Sequence, residues 1–400
     1  MNLAESILSW QDEIIRIRRD IHQHPELAYE EVRTAELVAK QLESWGIPVV
    51  RGIGVTGVVG TIKGNKDNGR AIGLRADMDA LPMQEVNTFE HASRIEGKMH
   101  ACGHDGHTAM LLAAAKHLAQ NRDFEGTVYV IFQPAEEGHG GAKAMIDDGL
   151  FDRFPMDAVF GMHNWPGMEV GTFALTSGPM MASSNTFGIH IEGKGAHAAM
   201  PNLGADPVIA AVQVVQGLQT IVTRNRNPLD PAVLSVTQIH AGSADNVIPT
   251  EATVRGTVRT FTNETLDLIE SRMRAICEQT AAALDCKATL DFQRKYPPTV
   301  NTADETEFCA SVMEGIVGAG NVQRGVSPSM GAEDFAFMLQ HKPGCYVWIG
   351  NGSGGHRATG HGLGPCTLHN GSYDFNDELI PLGGTYWVEL ARKWLANPTV

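Results

Sequence analysis

The stretch "HTAMLLAAAKHLAQNRDFEGTVYVIFQ", residues 107–133, decides the fold. Its first half has the length and the small apolar residues of a buried helix. After a polar turn, "TVYVIFQ" (127–133) has the length and residue types of a strand. Upstream, "AIGLRAD" (71–77) reads as a second strand, and downstream "DAVFGMH" (157–163) reads as a third. Strands alternating with helices predict an α/β fold with a mainly parallel sheet.

From about Ser184 the pattern changes. "NTFGIHIEGKGAHA" is strand-like and "DPVIAAVQVVQGLQTIVTR" is a helix with Pro207 near its first turn. "AVLSVTQIHAG" and "EATVRGTVRTF" are strands, "NETLDLIESRMRAICEQTAAAL" is a helix and "CKATLDFQRKY" a last strand. Strand, helix, two strands, helix, strand describes an inserted α+β domain with a four-stranded sheet and two helices. After "YPPTV" come helices near 304–318 and 332–340, the strand "CYVWIG" and a terminal helix from about 378. The expected domains are therefore 1–183 with 298–400, and 184–297, with hinges near Ser183 and Pro297. A chain of 400 residues is longer than one core usually organises, which agrees with two domains.

Acidic residues outnumber basic ones 46 to 31, a formal charge of −15, so no basic field exists to hold nucleic acid. The N-terminus "MNLAESILSWQDEIIRIRRD" mixes charge with apolar residues and predicts an amphipathic helix, not a signal peptide. No apolar run reaches the length of a membrane span. The six cysteines show no CxxC spacing, which points to a reducing compartment and a cytoplasmic protein.

In open α/β sheets, ligands bind beyond the carboxyl ends of the strands. Here those places carry Asp77 and Asp79, then Cys102 and His104, then Glu136 and Glu137, then His163, and near the C-terminus His369. Each alone has an ordinary reading as a turn cap, a solvated loop or a packed histidine. Together they are the distribution expected when one pocket gathers ligands from distant segments. Mixed Cys, His and carboxylate donors suit zinc, manganese, cobalt or nickel better than magnesium or calcium. Cys102 and His104 are expected in the turn before a helix that starts near Thr108. Glu136 and Glu137 are expected to diverge on extended chain, one holding metal and the other a proton.

The stretches "RRDIHQHPELAYEE", "LRADMDALP", "MHACGHDGHTAML", "FQPAEEG", "GMHNWP", "GKGAHAAMP", "NVIP", "SMGAEDFAFM" and "LHNGSYDFNDE" span the chain in order. In these the sequence resembles the M20 metallopeptidases, in the branch of N-acyl-amino-acid amidohydrolases that includes hippurate hydrolases, bacterial aminoacylases and plant auxin-conjugate hydrolases. The resemblance implies two divalent transition-metal ions per subunit, with ligands Cys102, His104, Glu137, His163 and His369 and with Cys102 as the bridge. It implies Glu136 as general base and Asp79 as orienting carboxylate. The family's first motif is His, any residue, Asp; here Asp77 stands at the histidine, which leaves Asp77 without a role and gives its task to His104. The inserted domain resembles the family's lid and dimerisation domain. There His197 matches a histidine that reaches the substrate carbonyl oxygen from the neighbouring subunit, and Asn246 and Arg259 match substrate-binding positions. The implied activity is cleavage of the amide bond of N-acyl amino acids by metal-activated water, in a homodimer or higher homo-oligomer. His100, Asp105 and His107 are expected to support the ligands or the fold.

Other readings stay open on the residues. A dipeptidase or carboxypeptidase would use the same centre on short peptides. Cys102 paired with a histidine is a nucleophile reading, but it leaves Glu136, Glu137, His163 and His369 unexplained. A binding protein that lost the reaction is the third, against which every ligand position holds a competent residue.

Overall fold

The structure is a computed structural model that describes residues 3–396. Met1 and Asn2 of the expected N-terminal helix, and residues 397–400 of the expected range 298–400, lie outside the described residues. The chain forms two compact units. One is built from residues up to Met180, from Val300–Ser327 and from Asp334 onward; the other is Met181–Thr299 with Pro328–Glu333.

The first unit is mixed α/β around an eight-stranded sheet. Its centre is parallel: Glu125–Gln133, Lys66–Asp77, Ala158–Trp165 and Gly344–Gly350 lie side by side in that order. They contain the runs that the sequence marks as strands; Ala158–Trp165 and Gly344–Gly350 are buried on both faces almost throughout, and the other two become so toward their carboxyl ends. At one edge, Val49–Ile53 and Gly57–Lys63 add antiparallel, and at the other come Phe173–Leu175 and Val322–Arg324. The helix His104–Gln120 is buried from His104 through Leu118. Leu111, Leu112 and Leu118 are fully covered, each worth roughly 1.5–3 kcal/mol. It packs on the helix Leu379–Ala396, where Gly383 makes the approach possible: a Cβ there would lie 2.1 Å from Met110 Sδ.

This helix begins at His104 and not near Thr108, so His104 belongs to its first turn. Gly103, at φ 93°, makes the sharp entry that a side chain would resist. The polar residues of that turn are buried because their partners come from elsewhere in the chain, which a local reading takes for a loop.

The second unit is a four-stranded antiparallel sheet, in the order Ala232–Ala241, Glu251–Thr260, Ser184–Glu192, Lys287–Tyr296. The helices Pro207–Thr220 and Asn263–Ala282 pack on it. Asp206 caps the first, accepting from the backbone of Val208 and Ile209, and Pro207 follows at the first helical position. Among the described residues, no helix is long and apolar enough to cross a membrane.

Candidate metal centre

At the carboxyl ends of the parallel strands, five segments of the first unit converge. Asp77 ends one strand and Asp79 follows it, Glu136 and Glu137 follow another, and His163 lies near the end of a third. Cys102 and His104 enter from the helix start, and His369 from the C-terminal loops. Cys102 Sγ lies 3.3 Å from His163 Nε2. His369 Nε2 lies 3.2 Å from Glu137 Oε1, and His104 Nε2 lies 3.9 Å from the same oxygen. Donor atoms of Cys102, His104 and His163 fall within 4.8 Å of one another, as do those of Cys102, Glu137 and His369.

Glu136 and Glu137 do not diverge on extended chain. They sit in a kinked helical turn between Ala135 at φ 54° and Gly138 at φ 83°, and both offer an oxygen within 4.8 Å of the His104 ring nitrogen. His369 also holds a left-handed φ of 58°. Such backbone costs of order 1–3 kcal/mol for a residue with a side chain, and it clusters at functional sites.

Hydrogen bonding separates the histidines. His107 Nδ1 meets Asp77 Oδ1 at 2.6 Å, and its Nε2 accepts from the Asn164 backbone N–H at 2.9 Å, so both nitrogens are committed. His104 Nδ1 meets Asp79 Oδ1 at 3.2 Å, while its buried Nε2 has no hydrogen-bond partner. His163 donates from Nδ1 to the Asn164 carbonyl at 2.6 Å, leaving the Nε2 lone pair toward Cys102. An imidazole fixed at one nitrogen and open at the other is the disposition of a metal ligand. Asp79 spans two candidates, since its Oδ2 accepts from the Glu137 backbone N–H at 2.9 Å.

The field at this point is acidic. Burial works against charge on His104, yet Asp77, Asp79 and Glu137 outweigh it and push its pKa up to about 10. Burial, then Glu137, Glu136 and Asp77, hold the Cys102 thiol well above the usual cysteine range. A thiol held in that direction is not the activated thiolate of a nucleophilic cysteine. Burial, then the neighbouring His107, push the His163 pKa well below the usual histidine range. These side chains fit a divalent cation: it would balance the carboxylates, occupy the open His104 nitrogen and favour the Cys102 thiolate.

Several supporting residues carry no local sequence signal. Asn164 donates from Nδ2 to the Cys102 carbonyl at 2.7 Å, and Tyr373 Oη donates to Asn164 Oδ1 at 2.8 Å. Asp77, without a role in the sequence reading, joins His107 to Arg75, whose Nη1 lies 2.8 Å from Asp77 Oδ2. Behind the helix start, Arg18 and His22 hold Asp105 at 3.3 and 2.9 Å. His100 is buried, and burial pushes its pKa down to about 4.

His197, Asn246 and Arg259 lie in the second unit. His197 is exposed on the two-residue strand Ala196–His197, which pairs with Val247–Ile248; the Asn246 carbonyl accepts from the Ala198 N–H at 3.0 Å. Both line a cleft of about 700 Å³ together with His240, Ser243 and Thr253. Arg259 is not brought to it: it stands six residues beyond Thr253 on the same strand, roughly 20 Å along.

Comparison with known proteins gives a consistent result. The family model for peptidase family M20/M25/M40 matches residues 73–392. The chain is similar to the hippurate hydrolase of Campylobacter jejuni, 43% identical over 99% of this chain and 100% of that protein. It is also similar to thermostable carboxypeptidase 2 of Saccharolobus solfataricus, 40% identical over 98% of each. Among solved structures, a Bacillus subtilis protein described as a dinuclear metal-binding peptidase from the M20 family superposes with a TM-score of 0.83. It is 35% identical, and the match covers 98% of this chain and 99% of that one. The chain belongs to peptidase family M20/M25/M40.

Proposed function

We propose that the protein is a metal-dependent amidohydrolase that cleaves N-acyl amino acids to a carboxylic acid and a free amino acid. The carrying observation is the convergence of Cys102, His104, Glu137, His163 and His369 around an open imidazole nitrogen, with Glu136 beside it. These five residues would hold two divalent ions, with Cys102 shared because it belongs to two of the donor groups. The mixed donor set favours zinc, manganese, cobalt or nickel. When bound, such ions supply Lewis acidity, lowering the pKa of water and polarising a carbonyl.

The chain's own residues do the rest. Glu136 takes a proton from the attacking water and returns it to the departing amine, a service typically worth about 10²–10⁴ in rate. Asp79 fixes the His104 ring and the Glu137 backbone through its two oxygens. His197 is assigned as donor to the developing oxyanion, an effect of about 2.7–4 kcal/mol for one such group. Asn246 and Arg259 are assigned to polar groups of the substrate. The two relatives' names support the substrate class: hippurate and a peptide's C-terminal end both present an amide whose nitrogen belongs to an amino acid with a free carboxylate.

The inserted unit is assigned as lid and dimerisation element of a homodimer. The strand Ala232–Ala241 has a neighbour on one side only, and Val208, Ile209, Val212 and Ile239 are exposed apolar residues of the same unit. All six cysteines are unpaired, which supports a cytoplasmic location.

The test is hydrolysis of a matrix of N-acetyl and N-benzoyl amino acids and dipeptides, with each metal restored after stripping. Preference for dipeptides would favour the carboxypeptidase reading that the Saccharolobus relative supports. Glu136→Gln should keep its metal and lose turnover by orders of magnitude; near-normal turnover would reject its role.

A further inference from the structure

We infer that Arg75 is a positioning residue for this reaction: its guanidinium, clamped between Asp77 and Asp334, fixes the Glu136 carboxylate relative to the ligand cluster. The inference rests on the proposed role of Glu136 as base.

Arg75 lies on the central strand Lys66–Asp77, and its side chain is fully buried. Its three nitrogens address three acceptors. Nη1 meets Asp77 Oδ2 at 2.8 Å, Nη2 meets Asp334 Oδ1 at 3.1 Å and Nε meets Gln133 Oε1 at 2.8 Å. Gln133 closes the ring by donating from Nε2 to Asp334 Oδ1 at 2.7 Å. The two carboxylates lead to opposite sides of the centre. Through its other oxygen Asp77 holds His107, and its Oδ2 lies 3.8 Å from His104 Nε2. Asp334 holds the Ala142 N–H at 2.9 Å, just past the Glu136 turn, and its own backbone N–H faces Glu136 Oε1 at 3.4 Å. One rigid planar fork thus ties the strand end beside His104 to the turn that carries Glu136.

Stability does not explain such a cluster. Buried ion pairs can often be replaced by apolar side chains of equal volume with no loss. What an apolar core cannot supply is a fixed bearing for a carboxylate that must meet one water, where a displacement of 1 Å costs about 100-fold in rate. A lysine at this position keeps the charge, but a single ammonium cannot reach all three acceptors in their present places.

The experiment is Arg75→Lys, alone and combined with Glu136→Gln, with metal content measured by elemental analysis and with kcat and KM determined per metal-loaded molecule. The expected result for the single variant is a kcat lower by about 100-fold with KM and metal content little changed. In the Glu136→Gln background the same substitution should have almost no further effect, because the group it positions is gone. A role in folding alone would instead lower metal content or folded yield and leave kcat per loaded molecule unchanged, which overturns the inference. So does a loss of equal size in both backgrounds. If Arg75→Lys does not fold, Asp334→Asn carries the same prediction while keeping the backbone N–H. Near-normal turnover in Glu136→Gln rejects the base and this inference with it; normal kcat in Arg75→Lys with an inactive Glu136→Gln rejects this inference alone.

Discussion

Asp79→Asn should weaken metal binding through a change of histidine tautomer. Asp79 is 1% exposed, so solvent cannot repair what the substitution breaks. In the native site both carboxylate oxygens accept, one from His104 Nδ1 at 3.2 Å and one from the Glu137 N–H at 2.9 Å. Asparagine offers one acceptor and one donor group. If its oxygen stays with Glu137, its NH₂ faces His104 Nδ1 and that nitrogen must become an acceptor. The ring proton then moves to Nε2, the nitrogen now open to a cation. If the oxygen turns to His104 instead, a buried NH₂ confronts the Glu137 N–H, at a cost of about 1–3 kcal/mol for the unpaired donor. Either way a ligand is lost or displaced, and removing an orienting partner of this kind typically costs 10–100-fold in metal affinity. That is about 1.4–2.8 kcal/mol. Competition against a chromophoric chelator measures the affinity, and nitrogen NMR of the histidines reports the tautomer. A variant with the native affinity and an unchanged His104 tautomer would refute the argument.

Other consequences concern the frame of the site. Gly103→Ala should lose about 2–5 kcal/mol of stability, because Gly103 is at φ 93° and its Cβ would lie 2.2 Å from Asn164 Nδ2. Urea unfolding with elemental analysis checks it, and a native midpoint would show that the turn yields. Arg18→Met leaves Asp105 and Asp374, each within 3.3 Å of the guanidinium, without that charge; a loss of about 3–5 kcal/mol in urea unfolding is expected. His22 gives a pH signature. Burial disfavours its charge, but Asp105 and then Glu85 outweigh burial and push its pKa up to about 10. A raised pKa contributes stability that is complete below the unfolded value near 6.5 and is lost as pH rises toward 10. The stability gap between the native protein and His22→Gln should therefore shrink from about pH 6 to about pH 9.5; a constant gap contradicts the assignment.

The parallel centre of the sheet is legible because its runs at 127–133 and 345–350 are dense in β-branched and aromatic residues, whereas the antiparallel edge Val49–Lys63 is not legible. Gly52, Gly54, Gly57 and Gly60 interrupt its alternation, and Gly52 and Gly54 take positive φ. The helix start at His104 is hidden for another reason: "CGHDGH" looks solvated until Arg18, His22 and Asp77 arrive from distant segments to bury it. The link from Arg75 to Asp334 and that from Tyr373 to Asn164 are equally silent, since they span 259 and 209 residues.

Residue type and position at strand ends bring forward Cys102, His104, Glu137, His163 and His369, but neither separates His104 from His107. Both are histidines of the same helix turn, and both lie close to Asp77. The difference is one backbone amide: Asn164 donates to His107 Nε2 and closes it, while none of the described residues closes His104 Nε2. Asn164 can do so only because the strand Ala158–Trp165 ends beside this turn, held there by the Asn164 side chain on Cys102 and by Tyr373 on Asn164. Which of the two rings keeps an open nitrogen is thus set by the sheet's register and not by the imidazole. Residue type names the candidates, and the backbone decides which ring is left open to a cation.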